Sequence, residues 1–256
     1  MDVEVQLRDL TDSGDLAELV SLFRLVWGTT ETAVPLEVLR ALSDTGGMVL
    51  GAFAGTRLVG GAVGFRAVDD PVHLHSHVVG VHPDWRRRGI GIAVKHHQRT
   101  WCLDRGISYL SWTFDPLLRR NALLNISRLG AVGVAYLVDH YGPLDDVYNA
   151  GVPTDRVWVR WDLSGGRLPA SSSIRSVTVL DSDQHGRPCR SERATVGPVR
   201  LRLPEIVAAE HTLTWRGALR SVMAPRLNTG YRWTGMSDDG WCVLEPPSTM
   251  RTSEAR

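Results

Sequence analysis

The feature that most constrains this chain is a loop rich in arginine and glycine, Val81–Gly91, which has the sequence VHPDWRRRGIG. Apolar alternation predicts a strand over 72–82 before the loop, and apolar residues at helical spacing predict a helix over 90–104 after it. Glycines let successive backbone N–H groups turn inward at the positive end of a helix, and arginines add charge-assisted hydrogen bonds. This combination predicts a site for a phosphate or pyrophosphate.

The loop differs from two common nucleotide-binding motifs. The dinucleotide pattern GxGxxG would place a glycine where Val94 stands, and the P-loop pattern would need GK[ST], which the loop lacks. The loop alone therefore indicates a phosphate group without identifying the ligand that carries it.

The order of the predicted elements indicates an α/β (α+β) protein. Strands are predicted at 3–7, 48–54, 57–66, 72–82, 107–114, 131–139 and 156–163, and helices over 16–26, 35–42, 90–104 and 117–129, the first after a capping cluster at 12–15. A stretch rich in Gly and Ser then precedes a further α+β segment. We expect two domains, 1–164 and 165–256, the second packing on the first or on a second chain, which allows a homodimer.

Composition narrows the class of protein. The 256 residues are 43% hydrophobic with a net charge of +1, so no basic field indicates a nucleic-acid partner, and no apolar run approaches the roughly 18 residues of a membrane span. Lys95 is the only lysine among 29 basic residues, which we attribute to composition bias. The cysteines, Cys102, Cys189 and Cys242, are far apart and form no CxxC pair. We expect a cytoplasmic protein that uses no metal and binds neither nucleic acid nor membrane.

The loop also resembles a family signature. Arg86-x-x-Gly89-x-Gly91, after a strand ending in Val81, is similar to the R/Q-x-x-G-x-G/A acyl-CoA signature of the GNAT (Gcn5-related N-acetyltransferase) superfamily. The order of elements over Val3–Leu163 is also that family's. The resemblance implies the GNAT fold, a mixed and mostly antiparallel central sheet flanked by helices. Three stretches resemble a GNAT branch with a C-terminal extension: SHVVGVHPDWRRRGIG, SWTFDPLLRRNALLNISRLGA and PTDRVWVRWDL.

The resemblance implies acetyl-CoA, or another acyl-CoA, as co-substrate. In GNAT proteins the pantetheine lies where two parallel strands splay apart, here 79–81 and 108–114. An unpaired N–H near Val81 would polarise the thioester carbonyl. The implied cofactor-binding residues are Val79, Val81, Arg86, Arg87, Arg88, Gly89, Ile90, Gly91 and Asn121.

Acyl transfer to an amine needs a base for the amine and a proton source for the leaving thiolate. His73, His75 and His77 alternate on one predicted strand and face one side unless a bulge intervenes. His75 stands where the best-known GNAT histone acetyltransferases place a Glu base, so His75 and His77 are the candidate bases. The alternative is that these histidines are structural, with satisfied hydrogen bonds.

The usual GNAT acid, a Tyr four residues before the glycine that ends the last helix, is replaced by Ile126. Asn125 is a further catalytic candidate, one helical turn after Asn121, and a structural amide is the alternative at both positions. Tyr136 and Tyr141 are phenols nearby in the sequence.

Asp115 precedes a proline at the end of a predicted strand. It is either a ligand of the substrate amine or the N-cap of the next helix, and we favour the cap.

The predicted activity is N-acyl transfer, in which an acetyl or other short acyl group passes from acyl-CoA to an amine of a small molecule by direct attack in a ternary complex. Two alternatives stay open. One is a non-catalytic acyl-CoA-binding regulatory module of GNAT origin. The other is a GNAT-fold enzyme that acts on a non-amine nucleophile or decarboxylates an acyl-CoA.

Overall fold

The computed structural model describes residues 4–69, 71–149, 151–165, 176–191 and 197–247. The chain divides into two compact units. The first comprises Met1–Trp112, Asp145–Ala150 and Asp162–Ser164. The second comprises Thr113–Leu144, Gly151–Trp161 and Gly165–Arg256.

The first unit is a sheet with helices packed on it. Its elements are β1 (Val5–Asp9), α1 (Ser13–Trp27), α2 (Leu36–Asp44), β2 (Met48–Ala54), β3 (Arg57–Ala67), β4 (His73–Val81), α3 (Ile90–Leu103) and β5 (Tyr109–Phe114), whose last residues belong to the second unit. The strands lie in the order β1-β2-β3-β4-β5. The neighbours from β1 to β4 are antiparallel, whereas β4 and β5 are parallel.

Helix α1 begins at the cap that the sequence provides. The Asp12 carboxylate accepts hydrogen bonds from the backbone N–H groups of Gly14 at 2.7 Å and Asp15 at 3.4 Å. The helix ends at Gly28, which has a left-handed φ of +63°. Its apolar face joins the core of this unit, formed by Leu10, Leu16, Leu19, Val20, Leu22, Phe23, Val26, Val34, Leu39, Val49, Phe53, Leu58, Val63 and Val78.

Glycines in β3 and β4 let α1 lie close to the sheet. A Cβ on Gly61 would overlap Leu19, and a Cβ on Gly80 would lie 3.0 Å from Phe23. The glycine-rich sequence of β3 predicts a close backbone approach, and here the approaching group is a helix side chain.

The second unit is also built on a mixed sheet. Its elements are α4 (Arg119–Ala122), β6 (Val132–Leu137), β7 (Arg156–Asp162), β8 (Val177–Ser182), β9 (Pro188–Arg190), β10 (Val199–Arg202), α5 (Thr212–Leu227), β11 (Arg232–Met236) and β12 (Trp241–Glu245). The strand order is β7-β6-β11-β12-β10-β8-β9, and the pair of β10 with β8 is parallel. Together with the first unit, this mixed and mostly antiparallel α/β architecture confirms the predicted fold class.

The helix predicted over 117–129 takes a different form. Only Arg119–Ala122 is α-helical, and Leu123–Arg128 forms a π-helical segment. Gly130 follows with a φ of +76°, so the predicted glycine stop is in place. Hydrogen bonds in a π-helix run from i to i+5, which widens the turn and changes which side chains share a face.

The two compact units do not coincide with residues 1–164 and 165–256, because the second unit also includes Thr113–Leu144 and Gly151–Trp161. Strand β6 pairs with β11 at Gly133 and Trp233, and α5 packs against β6. These contacts group β6 and most of β7 with the C-terminal strands. The division into domains 1–164 and 165–256 stays a prediction.

None of the described helices combines the length and apolar character needed to cross a lipid bilayer.

A buried carboxylate stabilises the second unit. Asp155 accepts hydrogen bonds from the Tyr136 hydroxyl at 2.7 Å, the Asp139 N–H at 3.0 Å and two nitrogens of Arg220 at 2.7 and 3.0 Å. Burial alone raises the pKa of Asp155, but the hydrogen bonds from Arg220, Asp139 and Tyr136 outweigh it and hold the pKa below its ordinary value.

We expect Asp155→Asn to lower the free energy of unfolding by about 1–3 kcal/mol, because the buried carboxylate loses charge-assisted hydrogen bonds from the partly exposed Arg220 and its other donors. Denaturant titration near neutral pH would measure this difference. A carboxylate with a depressed folded pKa contributes fully above its unfolded pKa of about 3.9. The difference should therefore shrink as the pH falls from there through the folded pKa.

The matched control is Asp44→Asn, which breaks the exposed pair that Asp44 forms with Arg40 at 3.5 Å. It should cost less than about 1 kcal/mol. Equal losses in the two variants would contradict a special role for Asp155.

Candidate functional site

Strands β4 and β5 pair only near the start of β4. The register joins Leu74 to Leu110 and His75 to Ser111. From Ser76 to Val81, β4 stays paired with β3, and within the described ranges it makes no further pair with β5. Beyond His75, the edge of β4 away from β3 therefore carries backbone polar groups that no pair with β5 satisfies. Val79 and Val81, the predicted pantetheine contacts, both lie on this part of β4.

The loop after β4 leads directly into α3. A 3-10 turn, Pro83–Trp85, is followed by Arg87 and Gly89, which have φ values of +67° and +78°, and α3 begins at Ile90. A Cβ added at Gly91 would meet no atom within 4 Å, and one at Gly89 would meet only Ile92 at 4.0 Å. Open space therefore lies beside the backbone at the start of α3.

The start of α3 also lacks competing acceptors. Its N-cap, Gly89, provides no side chain to cap the helix, and its first turn contains no acidic residue. The first N–H groups of a helix have no partner within the helix and carry its positive partial charge. The open space and these donors fit a phosphate or pyrophosphate group.

The three arginines of the loop are exposed. The Arg86 Nε donates to the Val81 carbonyl at 3.3 Å, and the Arg88 guanidinium lies 4.6 Å from the centre of the Trp85 ring. Among the residues that the structure describes, no carboxylate forms an ion pair with Arg86, Arg87 or Arg88. Their charge can therefore act on a bound anion.

The histidines of β4 change in exposure along the strand. His73 is buried, stacks on Tyr109 at 4.4 Å and has its Nδ1 2.8 Å from the Tyr109 hydroxyl. His75 is half-buried, with its Nδ1 3.1 Å from the Ser111 Oγ. His77 is exposed. His73 is therefore structural, whereas His75 and His77 lie closer to the surface. The described residues include no group of three His, Cys, Asp or Glu placed to hold a metal ion.

A β-bulge falls at His77. Val63 pairs with Val78 while the next residue of β3, Gly64, pairs with Ser76, so His77 is the additional residue. Its ring lies 6.4 Å from that of His75. Although His77 has an exposed side, neighbouring atoms withdraw part of its ring from water, and this desolvation lowers its pKa, while a hydrogen bond with the Ala33 backbone opposes the effect. The neutral form that a base requires is thus favoured at neutral pH.

Asn121 and Asn125 differ in their surroundings. Asn121 is exposed in α4, whereas Asn125 and Ile126 are buried in the π-helical segment. The sequence analysis places Asn121 and Asn125 on nearly the same helix face, but one side chain is exposed and the other is buried. Both asparagines lie in the second unit, whereas the arginine loop and the β4 histidines lie in the first.

The two phenols named in the sequence analysis differ, and only Tyr136 is excluded as a ready proton donor. Burial and the hydrogen bond to Asp155 raise the pKa of Tyr136 strongly. The Tyr141 hydroxyl is 3.1 Å from the Thr113 Oγ1 on the exposed side of the second unit.

Asp115 is engaged within the protein. Its Oδ1 accepts from the Leu117 N–H at 2.9 Å, and both its oxygens accept from Arg216 at 2.6 and 2.7 Å. The carboxylate thus caps the turn before α4, although the N-cap of α4 itself is Leu118. This pairing opposes the alternative role of Asp115 as a ligand of the substrate amine.

The sequence analysis did not select two polar residues of α3, Lys95 and Gln98. Both are buried, on the face of α3 that also contains Ile90, Val94 and Trp101. A signal was available, because the spacing of these apolar residues places positions 95 and 98 on the same side.

Comparison with known proteins gives a family for part of the chain. Residues 16–124 match the model of the acetyltransferase (GNAT) family. No curated protein matches the sequence.

Solved structures resemble the fold at low sequence identity. The ribosomal-protein-S18-alanine N-acetyltransferase from Escherichia coli is 14% identical with a TM-score of 0.51, covering 67% of this chain and 99% of that one. The protein yncA from Salmonella typhimurium, assigned as an acetyltransferase and solved with its cofactor acetyl-CoA, is 17% identical with a TM-score of 0.51, covering 66% of this chain and 99% of that one. Residues 16–124 thus match the acetyltransferase (GNAT) family model, and the two solved structures share the fold of this chain.

Proposed function

We propose that this protein transfers an acetyl or other short acyl group from acyl-CoA to an amine of a small molecule, by direct attack in a ternary complex. The observation that carries the proposal is the order of structural features along β4 and the loop that follows it. The strand parts from β5 after His75, and the loop that follows leaves open space at the start of α3. The unpaired edge of β4 and the loop are adjacent on the chain, as binding of one pantetheine and its pyrophosphate requires.

The chemistry needs few side chains. Backbone N–H groups near Val81 would polarise the thioester carbonyl, and Arg86–Arg88 would neutralise phosphate charge. His75 or His77 would take the proton of the attacking amine. The fold shared with yncA, which was solved with acetyl-CoA, supports this use of the site.

The small net charge argues against one class of acceptor, a highly charged macromolecule. The whole chain has a net charge of +1, which provides no strong field for a highly charged macromolecular acceptor. Release of the CoA thiol from acetyl-CoA, measured over a panel of amines that includes peptide N-termini, tests the acceptor class directly.

Ile126 favours one alternative, a non-catalytic acyl-CoA-binding module, because it cannot replace the usual tyrosine acid. The same thiol-release assay separates the proposed N-acyltransferase from this module and from an enzyme that acts on another nucleophile. A binding module would hold acetyl-CoA and release no thiol with any amine, whereas an enzyme acting on another nucleophile would release thiol without amine.

We expect Gly91→Glu to weaken acetyl-CoA binding on the order of tenfold to a hundredfold, because a carboxylate would stand where the pyrophosphate accepts charge-assisted hydrogen bonds. Gly91 suits the test because its φ lies outside the left-handed range and a Cβ there meets open space. Isothermal calorimetry would measure the affinity.

Gly91→Gln is the matched control, with nearly the same volume and no charge, and its affinity should fall much less. Unchanged affinity in a folded Gly91→Glu protein would show that the loop does not bind CoA.

A pH profile identifies the base. Because burial lowers the pKa of His77, a His77 base would place the acid limb of kcat/KM below the ordinary histidine value of about 6.5. His77→Ala would then remove that limb and lower the rate roughly 10²–10⁴-fold. His75→Ala is the companion variant, and the limb should disappear in whichever variant lacks the base. An unaltered profile in the double variant would assign proton removal to water or to the substrate.

A further inference from the structure

The row of β3 side chains that faces α1 ends in an exposed phenylalanine. Alternate residues of a strand lie on one face, so Gly61, Val63 and Phe65 share a row. Leu19 of α1 lies over Gly61, and Val63 is fully buried in the core that α1 helps to form. Phe65, in contrast, is 39% exposed. This face of the sheet therefore becomes accessible at Phe65.

Phe65 lies against both candidate bases. It pairs with His75 across the antiparallel strands β3 and β4, so the two side chains lie on one face. The centre of its ring is 5.2 Å from that of His75 and 5.9 Å from that of His77. The two imidazole rings are 6.4 Å apart, and the three rings are tilted relative to one another by 39° to 44°. Phe65, His75 and His77 are called the aromatic cluster below, and all three belong to the first unit.

The aromatic cluster is held by the protein on one side and open to solvent on the other. The Nδ1 of His75 lies 3.1 Å from the Oγ of Ser111, which is buried. The His77 ring makes a hydrogen bond with the backbone of Ala33, between α1 and α2. Phe65 and His77 are both exposed. A small molecule can therefore reach rings whose positions are already fixed.

His77 has no carboxylate partner among the residues that the structure describes. No Asp or Glu of the described ranges forms an ion pair with it. The effects on its pKa are desolvation and, in the opposite direction, the hydrogen bond with the Ala33 backbone. A second ammonium group on an acceptor would thus find no counterion at His77. Aromatic surface, in contrast, is present there.

We propose that Phe65 determines which amines the protein accepts, and that it selects amines with an aromatic ring one or two carbons from the nitrogen. The inference deepens the proposed function, because it locates the acceptor by its two candidate bases. A base lies within hydrogen-bond reach of the amine, or one water away. Since Phe65 lies against both histidines, it adjoins the group attached to that amine whichever histidine is the base.

An aromatic substituent fits the cluster in geometry and in energy. Aromatic rings prefer offset or tilted arrangements with centroids about 4.5–7 Å apart, and the rings of the cluster already have such spacings. A further ring can pack on the exposed side of Phe65 in the same way. Such a pair adds roughly two- to tenfold in affinity beyond the burial of apolar area.

Binding of the amine can be measured without turnover. With labelled histidines, NMR follows the ring C–H signals, and His75→Ala and His77→Ala provide the assignments. Phenethylamine, added at constant pH to the protein with CoA, should shift the signals of both residues. Cyclohexylethylamine has nearly the same size but no aromatic ring, and it should bind roughly two- to tenfold more weakly.

Phe65→Leu removes the ring and keeps an apolar side chain. It should fold, because the position is 39% exposed and stays apolar. Its affinity for phenethylamine should fall roughly two- to tenfold, to that of cyclohexylethylamine, whose own affinity should change little. Leu103→Ala is the matched control, since Leu103 is 40% exposed at the end of α3, and it should leave both affinities unchanged.

Kinetics extend the test to the reaction. In wild type, kcat/KM from release of the CoA thiol should favour phenethylamine over cyclohexylethylamine, and this preference should disappear in Phe65→Leu. Diaminobutane, which has a second ammonium group in place of the ring, should be the poorest of the three acceptors. The affinity for acetyl-CoA, measured by calorimetry, should be the same in wild type and Phe65→Leu. A variant that was merely misfolded would lose that affinity as well.

Three results would overturn the proposal. The first is the same affinity and selectivity for phenethylamine in wild type and Phe65→Leu. The second is binding of phenethylamine without a shift at His75 or His77, which would place the amine elsewhere. The third is a preference for diaminobutane that Phe65→Leu removes, because Phe65 would then hold an ammonium group by a cation–π contact.

Failure of the proposed function would have a different signature. Phenethylamine would bind at the aromatic cluster, and weaken in Phe65→Leu, while no amine released thiol from acetyl-CoA. That result would support the selectivity of Phe65 and contradict acyl transfer. Thiol release with no aromatic preference would do the reverse.

Discussion

The parting of β4 from β5 organises the first unit. Because β4 stays paired with β3 through Val81, its end is fixed while its other edge is open. The same strand delivers the chain into the arginine loop and α3, and Ser76 on β4 contacts Lys95 of that helix. Helix α1 lies against Gly80 of the same strand. One strand thus sets the position of the loop, the histidines and both helices.

The parts predicted from sequence are those that local chemistry decides. Strand β4 and helix α3 lie within a residue of their predicted bounds, and Gly89 between them takes the left-handed conformation that starts α3. Each of these depends on residues within a few positions, so a single sequence contains the information. The bounds of the loop between β4 and α3 were therefore predicted to within a residue, whereas its role in binding stays a prediction.

The parts that were not predicted depend on distant partners. The bulge at His77 is a matter of register with β3, and one residue of slip decides which way its ring points. Arg216 is 101 residues from Asp115, and Arg220 is 65 residues from Asp155. Helix α5 brings both guanidinium groups to carboxylates that sequence alone would leave unpaired. In the sequence, Asp115 is therefore a candidate ligand of the substrate amine, but in the folded protein its carboxylate pairs with Arg216.

Because Lys95 is the only lysine of the sequence, the protein surface differs from most in its reactivity toward acylating reagents. Lysine amines are slowly modified by activated thioesters such as acyl-CoA, whereas guanidinium groups remain protonated and unreactive. Here arginine supplies every other basic side chain, and the one amine is enclosed beside Trp112. The exterior thus offers reactive acyl donors no lysine to modify, and reagents that couple to lysine would leave it almost unlabelled while the fold is intact.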